Sequence, residues 1–428
     1  KQAFINIAVK RAKQMVYGVP EKEFDGDAVL NLEEDNLVRR DSKNSLVIPA
    51  HDVLEDWALE QYIEDAYRKY SRNLSDFLDE IGHEPAINRA FRLWLHQKLR
   101  CGEDVNDIVH SILDNQVIQR YWQDETIAAI LQGDNPNEFL ESLKDRLFLD
   151  DGELLKRFCF VLRIACQAPD QRIIPKIKDS KAVIIDALFL RPYGQGWEAL
   201  ICFLLENKDS LSQDLAPHVT ALLSDWTSVL HLDEPLPTPS HEAGLLALHL
   251  LDDLKETYRD DGDRKKLLSV IIKTASAIQE RFVELLETDV FVPRTGRRRS
   301  RPHYVDDFCE MAFSDIESAF LCKHNPDNLI KLAQFEWFVQ EYDDEDEPGY
   351  RDRIEVAGCF GLHEHMDTFF PASGVKGPFR NLLYYHPRKG LDFILDLLNT
   401  TAKNYAHSDL DSPKHSRYVR MGYSEPLM

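Results

Sequence analysis

Apolar residues along this chain recur mostly at the helical period, and the first clear run follows Pro49. Val53, Leu54, Trp57, Ala58, Tyr62, Ile63, Ala66 and Tyr67 fall three or four residues apart, the spacing of one side of a long helix. Ahead of it, Ala28 to Arg40 carries a shorter helical pattern. Leu37-Val38 and Leu46-Val47-Ile48 are apolar runs separated by a polar stretch containing Asp41 and Asn44, which is a hairpin signal. Helix, hairpin, helix is the order of a winged helix, a fold that serves DNA binding, protein docking and nucleotide sensing alike.

From about Asp150 to Thr288 the pattern becomes a succession of amphipathic helices broken by short polar or Pro/Gly turns. Leu154, Leu155, Phe158, Cys159, Leu162 and Ala165 form one stripe; Ala199, Leu200, Phe203 and Leu204 form a second; Val219, Leu222, Leu223 and Trp226 form a third. Later stripes run through Leu246, Leu250, Leu254 and Tyr258, and from Leu268 through Ile271, Ile272, Ala275, Ile278 and Phe282 to Leu285. Helices that each need a neighbour to bury one face predict an irregular α-solenoid of HEAT-like repeats. A plain helical bundle satisfies the same stripes. The fold expected is therefore mainly α: a small winged-helix domain at 1–75, a helical linker domain at 76–149, HEAT-like repeats at 150–290, and a C-terminal helical region with charged loops at 291–428.

Composition narrows the function classes. A chain of 428 residues can hold two or more domains, and its net charge of −23 disfavours general binding to nucleic acid or anionic membrane. The seven cysteines are scattered, with no CxxC pair, and read as reduced thiols of a cytoplasmic protein. No stretch reaches the roughly 18 apolar residues of a membrane span, so no membrane partner is expected. The start, Lys1-Gln2-Ala3-Phe4, is neither an initiator methionine nor a signal peptide and reads as the edge of a longer polypeptide.

Catalytic signatures are missing. No Gly-x-x-x-x-Gly-Lys-Ser/Thr run occurs; Gly374-Val375-Lys376-Gly377-Pro378 is too short, and Ala182-Val183-Ile184-Ile185-Asp186, which mimics a strand ending in a magnesium-holding aspartate, reads as core without a P-loop. No Gly-x-Ser-x-Gly elbow is present. His363 and His365 in His363-Glu364-His365-Met366-Asp367 would point about 200° apart on a helix, a poor chelating geometry. Five arginines crowd Arg294 to Arg301, and Arg297, Arg298, Arg299 and Arg301 are candidate nucleic-acid contacts. The alternative is a solvated linker, or a partner for the acidic run Glu341 to Glu347.

One segment resembles a known family. Val47-Ile48-Pro49-Ala50-His51-Asp52-Val53-Leu54-Glu55-Asp56-Trp57-Ala58-Leu59 is similar to the segment after the wing in STAND signalling ATPases, which include NLR immune receptors and bacterial antiphage sensors. Pro85-Ala86-Ile87-Asn88-Arg89-Ala90-Phe91-Arg92-Leu93-Trp94-Leu95 resembles the helix that follows the winged helix in large bacterial members, and the likeness covers about residues 25 to 100. Ala50 departs from the methionine that precedes the His-Asp pair in plant receptors.

The resemblance implies that His51 is a nucleotide sensor reaching the β-phosphate of bound ADP, and that Asp52 caps the helix behind it. It implies ADP or ATP with magnesium held by an upstream nucleotide-binding domain of the same polypeptide, with no nucleotide bound by this chain alone. Any ATPase activity would reside upstream. The remaining implications are a protein or nucleic-acid ligand, of phage origin in the antiphage members, and a homo-oligomer on activation. The residues alone also admit two other readings: His51 as a simple helix-capping residue, and the chain as a non-enzymatic helical scaffold that binds nucleic acid or protein.

Overall fold

The computed structural model describes residues 1–41, 43–70, 73–101, 105–115, 117–170, 190–255, 262–291, 303–337 and 378–406. The protein is mainly α, as its apolar period predicts, with two small antiparallel sheets among the described residues. It divides into two compact units, Lys1–Phe203 and Leu204–Met428.

The first unit opens with α1 (Gln2–Gln14), β1 (Val19–Pro20), α2 (Gly26–Glu34), β2 (Val38–Asp41), β3 (Leu46–Pro49) and α3 (Asp52–Tyr70). The sheet order is β1-β3-β2, with Val19 opposite Val47 and Val38 opposite Pro49, which is the topology of a winged helix. The hairpin closes on an Asx turn: the Asp41 carboxylate accepts from the Lys43 backbone N–H (3.1 Å) and the Asn44 amide (2.7 Å). The helix expected over Ala28 to Arg40 ends early, at Glu34, because Asn36 takes a left-handed conformation (φ 57°) that asparagine tolerates. Residues 38–41 are thereby released to form the first hairpin strand. Helix α1 and strand β1 lie outside the predicted helix, hairpin and helix, and β1 completes the sheet.

Beyond the wing the chain repeats. Helices α3, α5 (Pro85–Arg100), α7 (Arg120–Gln132) and α10 (Glu153–Ala165) begin 33, 35 and 33 residues apart, and each packs on the next. Helices α4 (Leu74–Ile81), α6 (Asn106–Asp114), α8 (Pro136–Ser142) and α9 (Lys144–Leu147) fill the intervals. The helical repeat thus starts at Asp52, well before residue 150. Its core is aromatic between α3, α4 and α5, where Tyr67, Phe77 and Trp94 meet edge-on or tilted with ring centroids 5.1–6.0 Å apart. After α10, β4 (Gln167–Pro169) pairs with β5 (Leu190–Pro192), and the buried Trp197 at the head of α11 (Gly196–Glu206) donates its indole N–H to the Cys166 carbonyl (2.7 Å).

The second unit stacks in the same manner. Helices α12 (Ala216–Ser228), α14 (Gly262–Thr274), α17 (Glu317–His324) and α19 (Pro378–Tyr385) pack in sequence, and α13 (Ser240–Leu254) and α16 (His303–Ala312) also cover α14. Residues Leu267, Leu268, Val270, Ile271 and Ile272 are all buried, so α14 has no wet face along that stretch. The stripe predicted from Leu268 to Leu285 is buried throughout, yet the helix breaks at Thr274 and resumes as α15 (Gln279–Leu285). The remaining helices are α18 (Pro326–Trp337) and α20 (Pro387–Ala406). No helix among the described residues is long and apolar enough to cross a membrane.

Candidate functional site

His51 stands at the junction of the wing and the first helix of the stack. The strand before it is anchored: Val47 and Ile48 are buried, and the Ala50 N–H donates to the Leu37 carbonyl (2.9 Å). The His51 carbonyl accepts from the N–H groups of Leu54 (3.1 Å) and Glu55 (3.3 Å), so His51 itself occupies the capping position and Asp52 is the first residue of α3. That is one residue earlier than the resemblance implied. Asp52 and Glu55 still lie in the first turn, where their charge meets the positive helix end.

The imidazole of His51 is exposed, and among the described residues it makes no hydrogen bond or ion pair. Beside it on α3, Val53 is 57% exposed and Trp57 62% exposed, one turn apart. Both belong to the apolar stripe that predicted the helix, and the structure leaves both in solvent. The rim is held from behind. Buried Glu55 is ion-paired with Arg11 of α1, and the Arg11 Nε–H donates to the Tyr17 carbonyl (3.0 Å), tying the first turn of α3 to the α1–β1 connection. On the other side Asp56 accepts from Arg89 Nε (3.0 Å). An imidazole fixed at such an edge can donate to, or accept from, a phosphate or carboxylate of a partner.

No family model matches this chain, and no curated protein does. The chemistry must therefore be read from the residues alone. Among the described residues no group of three or more His, Cys, Asp or Glu side chains is placed to hold a metal ion. Burial pushes the thiols of Cys159, Cys166 and Cys322 up to about 12, far from the thiolate that a nucleophile or metal ligand needs. The candidate nucleic-acid contacts Arg297, Arg298, Arg299 and Arg301 lie outside the described residues. So do the acidic run, the His363 and His365 segment, Ala182–Asp186 and Gly374–Gly377, while the Pro378 that ends that phrase is the first residue of α19.

A second feature was not singled out from the sequence. Ion pairs cross the row of stacked helices at a constant offset of 33 residues: Asp56 with Arg89, Arg92 with Glu125, and Asp124 with Arg157. The Gln132 amide donates to the Ala165 carbonyl (2.7 Å) at the same offset. Beside the last of these pairs, between α7 and α10, lies a recess of about 140 Å³ with Phe160 and Ile164 at its lip. Opposite charges recurring 33 residues apart were the legible signal.

Proposed function

We propose that this chain is the regulatory and ligand-sensing portion of a STAND-type signalling ATPase acting in bacterial antiphage defence. In this reading the winged helix closes on an upstream nucleotide-binding domain, His51 bonds the β-phosphate of ADP, and the stacked helices receive the activating ligand. The observation that carries it is the exposed, unengaged imidazole of His51 on a braced edge, with Val53 and Trp57 offering apolar surface beside it for a second domain to cover. A ligand that moves the resting population from 1:99 to 99:1 must favour the open state by about 5.5 kcal/mol, and contacts spread over a helical stack supply such a difference.

The test is the nucleotide carried by the longest native polypeptide containing this chain, purified identically as wild type and as His51→Ala. A hydrogen bond to a charged phosphate contributes about 1.5–3 kcal/mol, so ADP should leave the variant roughly tenfold or more faster. Unchanged ADP content and release in His51→Ala would remove the sensor role. Absence of nucleotide from both preparations would sink the ATPase reading itself.

A further inference from the structure

The ion pairs that cross the row α3, α5, α7 and α10 give each helix one sign. The ladder is acidic on α3 (Asp56), basic on α5 (Arg89 and Arg92), acidic on α7 (Asp124 and Glu125) and basic on α10 (Arg157). These side chains are part-exposed, from 17% at Asp56 to 45% at Arg89. A guanidinium has five donors and a carboxylate about four acceptor positions, so one partner within the chain leaves each of them able to take a second.

Apolar surface bounds the ladder at both ends. On α3, Val53 and Trp57 lie within about 100° of Asp56 around the helix, and on α10, Phe160 and Ile164 lie within about 60° of Arg157. Phe160 is 45% exposed and Ile164 61%, and the Arg157 guanidinium lies 4.8 Å from the Phe160 ring centre. Glu60, one turn beyond Asp56, makes no hydrogen bond or ion pair among the described residues; burial, and then the charge of Asp56, raise its carboxyl above the ordinary glutamate value. The acidic end of the row therefore lacks a cation.

Symmetry selects what meets this face. A row of alternating sign with an even number of helices becomes its own complement when its order is reversed. A second copy turned about a twofold axis parallel to the helices, midway between α5 and α7, sets α10 over α3 and α7 over α5. Opposite charges then meet on all four helices, and Val53 and Trp57 meet Phe160 and Ile164 at both ends. A twofold axis along the row would instead set like charge on like, which is repelled. Neighbouring helix axes lie roughly 10 Å apart and a helix of 13 residues is roughly 20 Å long, so the face measures roughly 30 by 20 Å, the order of the ~800 Å² per partner of a standard interface.

We propose that the chain forms a homodimer through this face, the row of one copy reversed on the row of the other. The contact is isologous: the same patch is used on both copies, and each apolar anchor is used twice. The proposal does not rest on the nucleotide-sensor reading. Trp57 can serve this contact or an upstream domain, one at a time, so the test uses the 428-residue chain by itself and no nucleotide.

The experiment is sedimentation equilibrium of the full chain over a wide range of concentration, where wild type is expected to pass from monomer to dimer. Trp57→Glu and Ile164→Lys, both at exposed positions, should each weaken the dimer roughly thirtyfold or more, the effect of losing an interface anchor. Both should melt as wild type does at a dilution where wild type is monomeric. The double variant Trp57→Glu/Ile164→Lys sets each new carboxylate against the new ammonium of the other copy, and it should dimerise more tightly than either single variant. A wild type that stays monomeric throughout, or a dimer indifferent to both substitutions, overturns the proposal. A double variant no tighter than the single ones overturns the reversed order of the rows.

Discussion

Glu317 and Glu125 are glutamates in helical stacks, and their surroundings push them in opposite directions. Burial alone would raise the Glu317 carboxyl, but hydrogen bonds from Ser314 and Ser269 (2.7 Å from Ser269 Oγ) and the charge of Lys273 at 3.5 Å outweigh it and hold the group below the ordinary value. A carboxyl lowered in the folded state adds stability that is present at neutral pH and is lost as the pH falls through its folded value. Glu317→Gln should therefore destabilise the protein at pH 7 by about 1–3 kcal/mol, since two hydroxyls and a lysine lose their ionised partner. In urea titrations the gap between wild type and variant should narrow as the pH is lowered toward about 4; a gap independent of pH would assign the loss to shape and not to charge. For Glu125 the sign reverses. Its raised carboxyl makes the ionised form a burden on the folded state, so Glu125→Gln should be at least as stable as wild type at pH 7. A clear drop in the denaturation midpoint would show that Arg92 holds that carboxylate more firmly than a 3.5 Å separation implies.

At the scale of elements, the ion pairs that cross the row fix register more than they add stability. Arg89 is 45% exposed, so a double-mutant cycle on Asp56→Ala and Arg89→Ala should give a coupling below about 1 kcal/mol. Trp94 is different: buried, ringed by Tyr67 and Phe91, and donating to Glu64 Oε2 at 2.8 Å, its replacement by alanine should cost about 3–5 kcal/mol in chemical denaturation. A coupling at Asp56 and Arg89 as large as the Trp94 loss would contradict this division. Much of this level was legible in the sequence. The period from Val53 to Tyr67 located α3, and the stripe at Leu154 to Leu162 located the buried face of α10, because burial on one side of a helix imposes its period. Periodicity could not tell that Val53 and Trp57 stay wet, because a wide apolar stripe can extend past the neighbour that covers it. Nor could it see the break after Thr274, where both sides of the turn remain apolar. Helix α2 ran short for a backbone reason at Asn36, which hydropathy does not carry.

At the scale of the molecule, 74 acidic against 51 basic side chains leave a field that opposes compaction. Raising NaCl from about 10 mM to about 100 mM shortens the screening length from roughly 30 to 10 Å, so the melting temperature should rise. A fall would mean that attractive pairs such as Asp56 with Arg89 outweigh the long-range repulsion. In the sequence the function proposed at this scale rests only on the His51 segment, because recognition depends on which side chains the fold leaves unengaged, a property of three-dimensional neighbours and not of spacing. The row α3, α5, α7 and α10 has a mechanical consequence of its own. Each helix leans chiefly on the one before and the one after, so a load applied at one end passes from interface to interface and is shared as many small tilts. The first unit should yield as a leaf spring does, and a wedge driven between any two of its leaves is felt along the rest.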